Sequence, residues 1–147
     1  MWTYQNQLIK TKDELPNSEA LFGFVYRIDN LTNDMSYIGR KNFNTVRKKK
    51  LTKKEMPTDK RLKTFKKVTK EGAWLTYWGS NKPLLDQVAL HGRHLFTREI
   101  IALAYTAKQL TILETEALFN HNILRDKNFY NDNILGKFFR RDLIKNT

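Results

Sequence analysis

Tyr26 and Tyr37 lie eleven residues apart, on either side of the turn-rich run Asp29-Asn30-Leu31-Thr32-Asn33-Asp34. Each shares a short segment with a glycine, in Gly23-Phe24-Val25-Tyr26 and Tyr37-Ile38-Gly39. Leu21 to Ile28 is apolar and rich in strand-favouring residues, and Met35 to Ile38 reads as a second short strand, so the spacing predicts a hairpin. A turn centred between Leu31 and Thr32 sets the two phenols directly opposite, on one face, with Cβ atoms roughly 5 Å apart. Such a pair is either a packing contact or a place where two hydroxyls meet a ligand, and geometry alone leaves both open.

A carboxylate is singled out by helix phase. Leu110, Leu113, Ala117 and Leu118 form one apolar face of a helix that the capping box Thr106-Ala107-Lys108-Gln109 starts. Glu114 falls in the middle of that face, whereas Glu116 falls nearer its edge. A carboxylate there is costly unless a basic side chain or a metal ion meets it. His91 and His94 surround Gly92 at a helix end, and His121 lies seven residues beyond Glu114, so the three histidines read as peripheral rather than as a zinc set.

The charge is concentrated. Net charge is +12, and residues 40 to 70 hold fourteen Lys/Arg against only Glu55 and Asp59, which accounts for the whole excess. Within this run Lys41, Lys48, Lys49, Lys50, Lys53, Lys54, Arg61, Lys63, Lys66 and Lys67 are candidate contacts to a polyanion, because a basic patch gains affinity by releasing counterions from phosphates. There is no cysteine, hence no disulfide framework and no thiolate metal site, as suits a cytoplasmic protein. No run approaches the roughly 18 apolar residues that cross a membrane, and no secretory leader is visible at Met1-Trp2-Thr3-Tyr4-Gln5.

The remaining elements follow from periodicity. Residues 1–20 are polar and read as an extension. Residues 40–72 form a basic insert, in which Leu62, Phe65 and Val68 recur at helical spacing; a short helix and a loop that orders on DNA are both compatible with it. Ser80 or Asn81 caps a helix with Pro83 in its first turn, Leu84, Leu85, Val88 and Ala89 on its apolar face, and His91-Gly92 at its end. Phe96 to Tyr105 is a third, central strand, and the Glu114 helix runs to about Leu124. A basic segment, 137–147, closes the chain. The order is β-β-insert-α-β-α in a single domain over 1–147.

The two tyrosine segments resemble the paired signature of the GIY-YIG nucleases, with Phe-Val where the first motif has a single Ile. Phage-encoded, homing-type members look most similar, because they also carry Tyr-Ile-Gly-Arg-Lys (residues 37–41), a Tyr77-Trp78-Gly79-Ser80-like segment and a Tyr130-Asn131-Asp132-Asn133-Ile134-Leu135-Gly136-like run. The resemblance implies an α+β fold, a small three-stranded antiparallel sheet flanked by helices, here with a basic insert after the second strand. It implies a DNA endonuclease that hydrolyses phosphodiester bonds with Mg²⁺ or Mn²⁺ on Glu114, in the host cytoplasm if phage-encoded. Its arginine is Arg47, eight residues after Gly39, or Arg40 immediately beyond the motif; its terminal asparagine is Asn131, which would orient another group. Where some members place a further histidine or tyrosine, this chain has Leu51, so Tyr77 or a lysine would supply that element.

On this reading Tyr26, by preference over Tyr37, takes a proton from the attacking water. A phenol does so only when cations lower its ordinary pKa of about 10; Lys41 and an arginine are the candidates. The insert would clamp the DNA backbone. One such centre cuts one strand per encounter, so a double-strand break would take a homodimer or two events. The rival reading is a non-catalytic nucleic-acid-binding protein that keeps a nuclease-like fold.

Overall fold

The computed structural model describes residues 1–59 and 62–144; Arg61, a candidate DNA contact, lies outside them. Nine strands and three α-helices are present among the described residues: β1 (Trp2–Tyr4), β2 (Gln7–Ile9), β3 (Gly23–Asn30), β4 (Met35–Asn42), β5 (Asn44–Lys50), β6 (Phe65–Glu71), α1 (Lys82–His91), β7 (Phe96–Ala104), α2 (Ala107–Asn120), β8 (Asn133–Ile134), β9 (Phe138–Phe139) and α3 (Arg141–Ile144). The fold is α+β. Its centre is the expected antiparallel set β7-β3-β4, with β3 in the middle and β4 at one edge.

The first twenty residues do more than lead into this sheet. Gln5 and Asn6, both at positive φ, make a two-residue turn that folds β1 back on β2. β1 then adds parallel to β7, giving the five-stranded order β2-β1-β7-β3-β4. What drives the docking is Trp2. It is fully buried against Phe24 and Tyr26, and its indole N–H donates to the Trp74 carbonyl at 2.8 Å. A strand of three residues shows no periodicity, so one aromatic anchor carries the attachment.

The sheet separates two apolar layers. On one side Trp2, Phe24, Tyr26, Ile28, Phe43, Trp74, Leu84 and Ile100 form an aromatic-rich core. On the other, Val25 and Ile38 pack with Leu110 and Leu118 of α2 and with Ile123, Phe129 and Ile134 of the C-terminal region. Helix α1 is capped by the Asn81 side chain, which accepts from the Leu84 amide at 3.0 Å. It buries Leu84 and Val88 and leaves Leu85 and Ala89 exposed. Helix α2 starts at Thr106 as expected and ends at Asn120, a turn before Leu124.

The basic insert is a two-stranded ribbon, β5 paired with β6 from Asn44↔Glu71 to Lys50↔Phe65, rather than a helix. On a strand, Phe65 and Val68 point to opposite faces, so their spacing of three defines no apolar stripe. The C-terminal segment is organised by Arg140. Its Nη2 donates to the carbonyls of Ile123 at 2.7 Å, Asp126 at 3.1 Å, Phe129 at 3.4 Å and Asn131 at 2.7 Å. Arg140 is thus spent on the chain itself. No helix among the described residues is long and apolar enough to cross a membrane.

Trp2→Ala removes a fully buried ring and its hydrogen bond, a change that costs about 3–5 kcal/mol in well-packed cores. Urea unfolding should show a loss of that size; a loss below about 1 kcal/mol would mean that β1 is not seated in the sheet.

Candidate active site

The register of the hairpin sets the tyrosines. Tyr26 pairs with Gly39, and Tyr37 pairs with Ile28. The two phenols are therefore diagonal neighbours rather than direct opposites, because the turn spans Leu31–Asp34, with Asp34 left-handed at φ 58°, and the Asn30↔Met35 pair closes it. Centring the turn one residue later shifts the pairing by two positions, which preserves the face. The rings remain together, 6.1 Å apart.

Gly39 explains why its position lacks a side chain. A Cβ there would lie 2.5 Å from Tyr26 Oη and 2.9 Å from Tyr37 Cε1. The Tyr26 ring instead lies against bare backbone, is 1% exposed, and meets Tyr77 edge-on at 6.0 Å. Gly79, at φ 91°, also lies against this phenol, and a Cβ there would sit 3.4 Å from Tyr26 Oη. At Gly23 a Cβ would strike the Lys41 carbonyl and Leu110. The Lys41 ammonium sits 4.6 Å from the centre of the Tyr77 ring, so Tyr77 and Lys41 both belong to this cluster.

The groove opens along the β4 edge. It is lined by Tyr37, Arg40, Asn81, Glu114, Asn131 and Asp132, among others. Tyr37 reaches it from the aromatic face. Arg40, which pairs with Val25, reaches it from the α2 face. Glu114 sits on α2 with its side chain 15% exposed, as its place in the apolar face predicts, and Glu116, expected nearer the edge of that face, is exposed. Arg40 Nη1 donates to Thr111 Oγ1 at 2.8 Å, and its Nε stands 3.6 Å from Glu114 Oε1, so α2 orients the guanidinium through residues three apart.

Asn131 is buried and does not face the groove with a free amide. Its Oδ1 accepts from the Ile38 amide at 3.0 Å, and its Nδ2 donates to the Ile38 carbonyl at 2.7 Å. With Ser36 bonded to Asn128 and Tyr130, it straps the C-terminal segment along the edge of β4. It thereby orients the residue between Tyr37 and Gly39.

The electrostatics distinguish the two phenols. Burial, reinforced by Tyr37 and Tyr77, pushes the Tyr26 pKa far above the ordinary phenol value. Burial also raises Tyr37, but a hydrogen bond from Ser80 opposes it. Burial raises the Glu114 carboxyl too, with Arg40 acting the other way.

Of the sequence candidates, Tyr26, Tyr37, Arg40, Lys41, Tyr77, Gly39, Gly79, Glu114 and Asn131 come together. Arg47 does not: it lies on the ribbon, exposed, beside Thr45, Lys70 and Gly72. The separation arises because the chain continues from β4 as a strand and carries residue 47 out along β5. Lys48, Lys49 and Lys50 lie on β5 and Lys66 and Lys67 on β6, while Lys53, Lys54 and Lys63 belong to the segment joining them. Thr111, one turn before Glu114, escaped the sequence reading, and Ser80, read there as a possible helix cap and as part of the Tyr77–Ser80 segment, was not expected beside Tyr37.

Residues 2–134 match the family profile described as "Putative endonuclease segE, GIY-YIG domain". The chain belongs to the GIY-YIG family. No curated protein and no solved structure matches it. Among the described residues there is no cluster of three or more His, Cys, Asp or Glu to hold a metal. A hard cation bound here would draw on oxygen donors. Glu114 fits that chemistry: its carboxylate lies on the groove, its cationic neighbour is outside hydrogen-bond distance, and oxygen donors suit Mg²⁺ or Mn²⁺.

Gly39→Ala should cost about 1–3 kcal/mol, typical of overpacking, and should alter the near-ultraviolet circular dichroism of the tyrosines. A second outcome concerns pH. Because the fold raises the Glu114 pKa, the stability tied to its proton is fully present below the ordinary carboxylate value of 4.5 and is lost as pH rises through the folded value. In metal-free buffer, Glu114→Gln should therefore gain stability relative to wild type between pH 4 and pH 7.5, read from denaturation midpoints at both.

Proposed function

We propose that this GIY-YIG chain is a metal-dependent DNA endonuclease that hydrolyses phosphodiester bonds. The observation that carries the reading is the convergence of a phenol, a guanidinium and a partly buried carboxylate (Tyr37, Arg40 and Glu114) in one groove on the β4 edge. A scissile phosphate held there meets Arg40, whose guanidinium is already oriented by Thr111 and stabilises charge as it develops on the phosphoryl oxygens. Glu114 would hold Mg²⁺ or Mn²⁺, with waters and phosphate oxygens completing its ligands. Such an ion supplies Lewis acidity to the phosphoryl and leaving oxygens.

Tyr37 is the better proton acceptor for the attacking water. It lines the groove, whereas Tyr26 is sealed beneath Gly39 and its ionised form is strongly disfavoured. Burial opposes the Tyr37 phenolate, as do Tyr77, Glu114 and Asp132, and the Ser80 hydroxyl favours it, so the rate should rise with pH across the neutral range. Tyr26 then acts through packing, fixing the height and tilt of Tyr37. Asn131 acts through the Ile38 backbone. Arg47 belongs with the lysines of the ribbon, which bind phosphates rather than react. A phage origin and a cytoplasmic site of action accord with this reading.

Plasmid nicking in Mg²⁺ or Mn²⁺ tests it. Wild type should relax supercoiled DNA. Glu114→Gln should abolish cutting, Arg40→Ala should lower kcat by about 10²–10³, and Tyr37→Phe should cost more in kcat than Tyr26→Phe. An intact plasmid with wild type, or full cutting by Glu114→Gln, refutes the reading.

A further inference from the structure

The β5–β6 ribbon is built unlike the rest of the molecule. Its root is locked: Phe43 and Trp74 are fully buried with ring centres 5.0 Å apart, and the Gly72 amide donates to the Phe43 carbonyl at 2.7 Å. Beyond the root both faces are open, and almost every residue is exposed. Lys48 stands directly opposite Lys67, and Lys49 opposite Lys66. Like charges in opposed positions destabilise a pair of strands, and a two-stranded hairpin without a packed face is marginal. The design makes sense when a polyanion lies against it.

The two faces are not equivalent. Strand alternation puts Thr45, Arg47, Lys49, Lys66, Val68 and Lys70 on one side. There Lys66 Nζ is engaged by Glu55 Oε2 at 2.6 Å, from the segment that joins the strands. The other side carries Val46, Lys48, Lys50, Phe65, Lys67 and Thr69. Its lysines make no ion pair among the described residues, and Val46 and Phe65 are 60% and 54% exposed. Cations interleaved with apolar tips suit a surface that is neither pure phosphate nor pure apolar. Base edges in a groove are such a surface: guanine offers N7 and O6 acceptors, and thymine offers a methyl group.

We propose that the ribbon enters the major groove of duplex DNA with its Val46–Lys48–Phe65–Lys67 face on the base edges, beside the phosphate that the β4 groove holds. This rests on DNA being the substrate and adds how the duplex is read. The dimensions agree. Two strands about 4.8 Å apart fit a groove about 12 Å wide that admits a two-stranded ribbon. Seven residues at about 3.3 Å each give about 23 Å of ribbon, or about seven base pairs at 3.4 Å. A-form RNA offers no equivalent, since its major groove is deep and too narrow for side chains to read.

Dimethyl sulfate protection on a metal-free complex tests this, because the reagent methylates guanine N7 in the major groove and adenine N3 in the minor groove. With wild type, guanine N7 should be protected over about seven base pairs, with adenine N3 in that stretch left reactive. Double-stranded RNA of the same sequence should bind at least about tenfold more weakly. Lys48→Gln with Lys67→Gln should lose the N7 protection, whereas Lys49→Gln should weaken binding and keep it; circular dichroism verifies that each variant is folded. Duplex binding without N7 protection, or equal affinity for double-stranded RNA, overturns the proposal. Cutting without N7 protection overturns it alone, and N7 protection without cutting in Mg²⁺ or Mn²⁺ overturns the nuclease reading alone.

Discussion

The contact between Tyr26 and the bare backbone of Gly39 is the constraint on which the site depends. The phenol fills the volume that a side chain at residue 39 would need, so β4 closes down over it and Tyr37 is tipped outward to the groove. The 77–80 loop packs on the same ring through Tyr77 and Gly79. That loop is held in turn by Arg98, whose Nη1 donates to the Tyr77 carbonyl at 2.6 Å. The Arg98 guanidinium lies 4.5 Å from the Trp2 ring centre and 4.2 Å from that of Trp78. Burial lowers its pKa to about 10, which still leaves it charged at neutral pH. The N-terminal strand is therefore mechanically continuous with the candidate site: Trp2 braces Arg98, Arg98 holds Tyr77, and Tyr77 covers Tyr26.

The location of the groove at a sheet edge has a geometric cause. A sheet keeps the side chains of its two faces apart, so a phenol from the aromatic layer and a carboxylate from α2 cannot meet through its middle. They meet around β4 because no further strand of the sheet lies beyond it, and the C-terminal strap covers its edge only from Ser36 to Ile38, short of Arg40. A bulge contributes nearby. Between Val25 and Tyr26 the pairing with β7 slips, and both Ile101 and Ala102 turn toward the α2 layer while Tyr26 keeps its place among the aromatics.

What the sequence made legible was periodic. Strand parity put Tyr26 and Tyr37 on one face even though the turn was placed one residue early, since a shift of two positions leaves parity unchanged. Helix phase separated Glu114 from Glu116 for the same reason. Elements that rest on a single anchor were hidden. β1 depends on Trp2 and on a Gln5-Asn6 turn without glycine, and no three-residue strand shows alternation. The ribbon was hidden by Leu62, Phe65 and Val68, whose spacing imitates a helix while cross-strand pairing sets the structure. Arg40 and Arg47 were indistinguishable because their separation depends on where β4 ends and how the chain leaves it, a tertiary fact with no local signature. The roles of Thr111 and Ser80 likewise emerge only once α2 and the 77–80 loop are seated.

The two hydrogen bonds from Asn131 to Ile38 bear on how copies of this chain can associate. An exposed strand edge is a template on which another molecule can extend the sheet, and that is a route to aggregation. Here one carboxamide offers a donor and an acceptor at the spacing a neighbouring backbone would use, while Asn128 and Tyr130 occupy Ser36. The edge from Ser36 to Ile38 is therefore already paired, by the chain's own loop. A second copy could therefore extend the sheet from Ser36 to Ile38 only by displacing the chain's own loop.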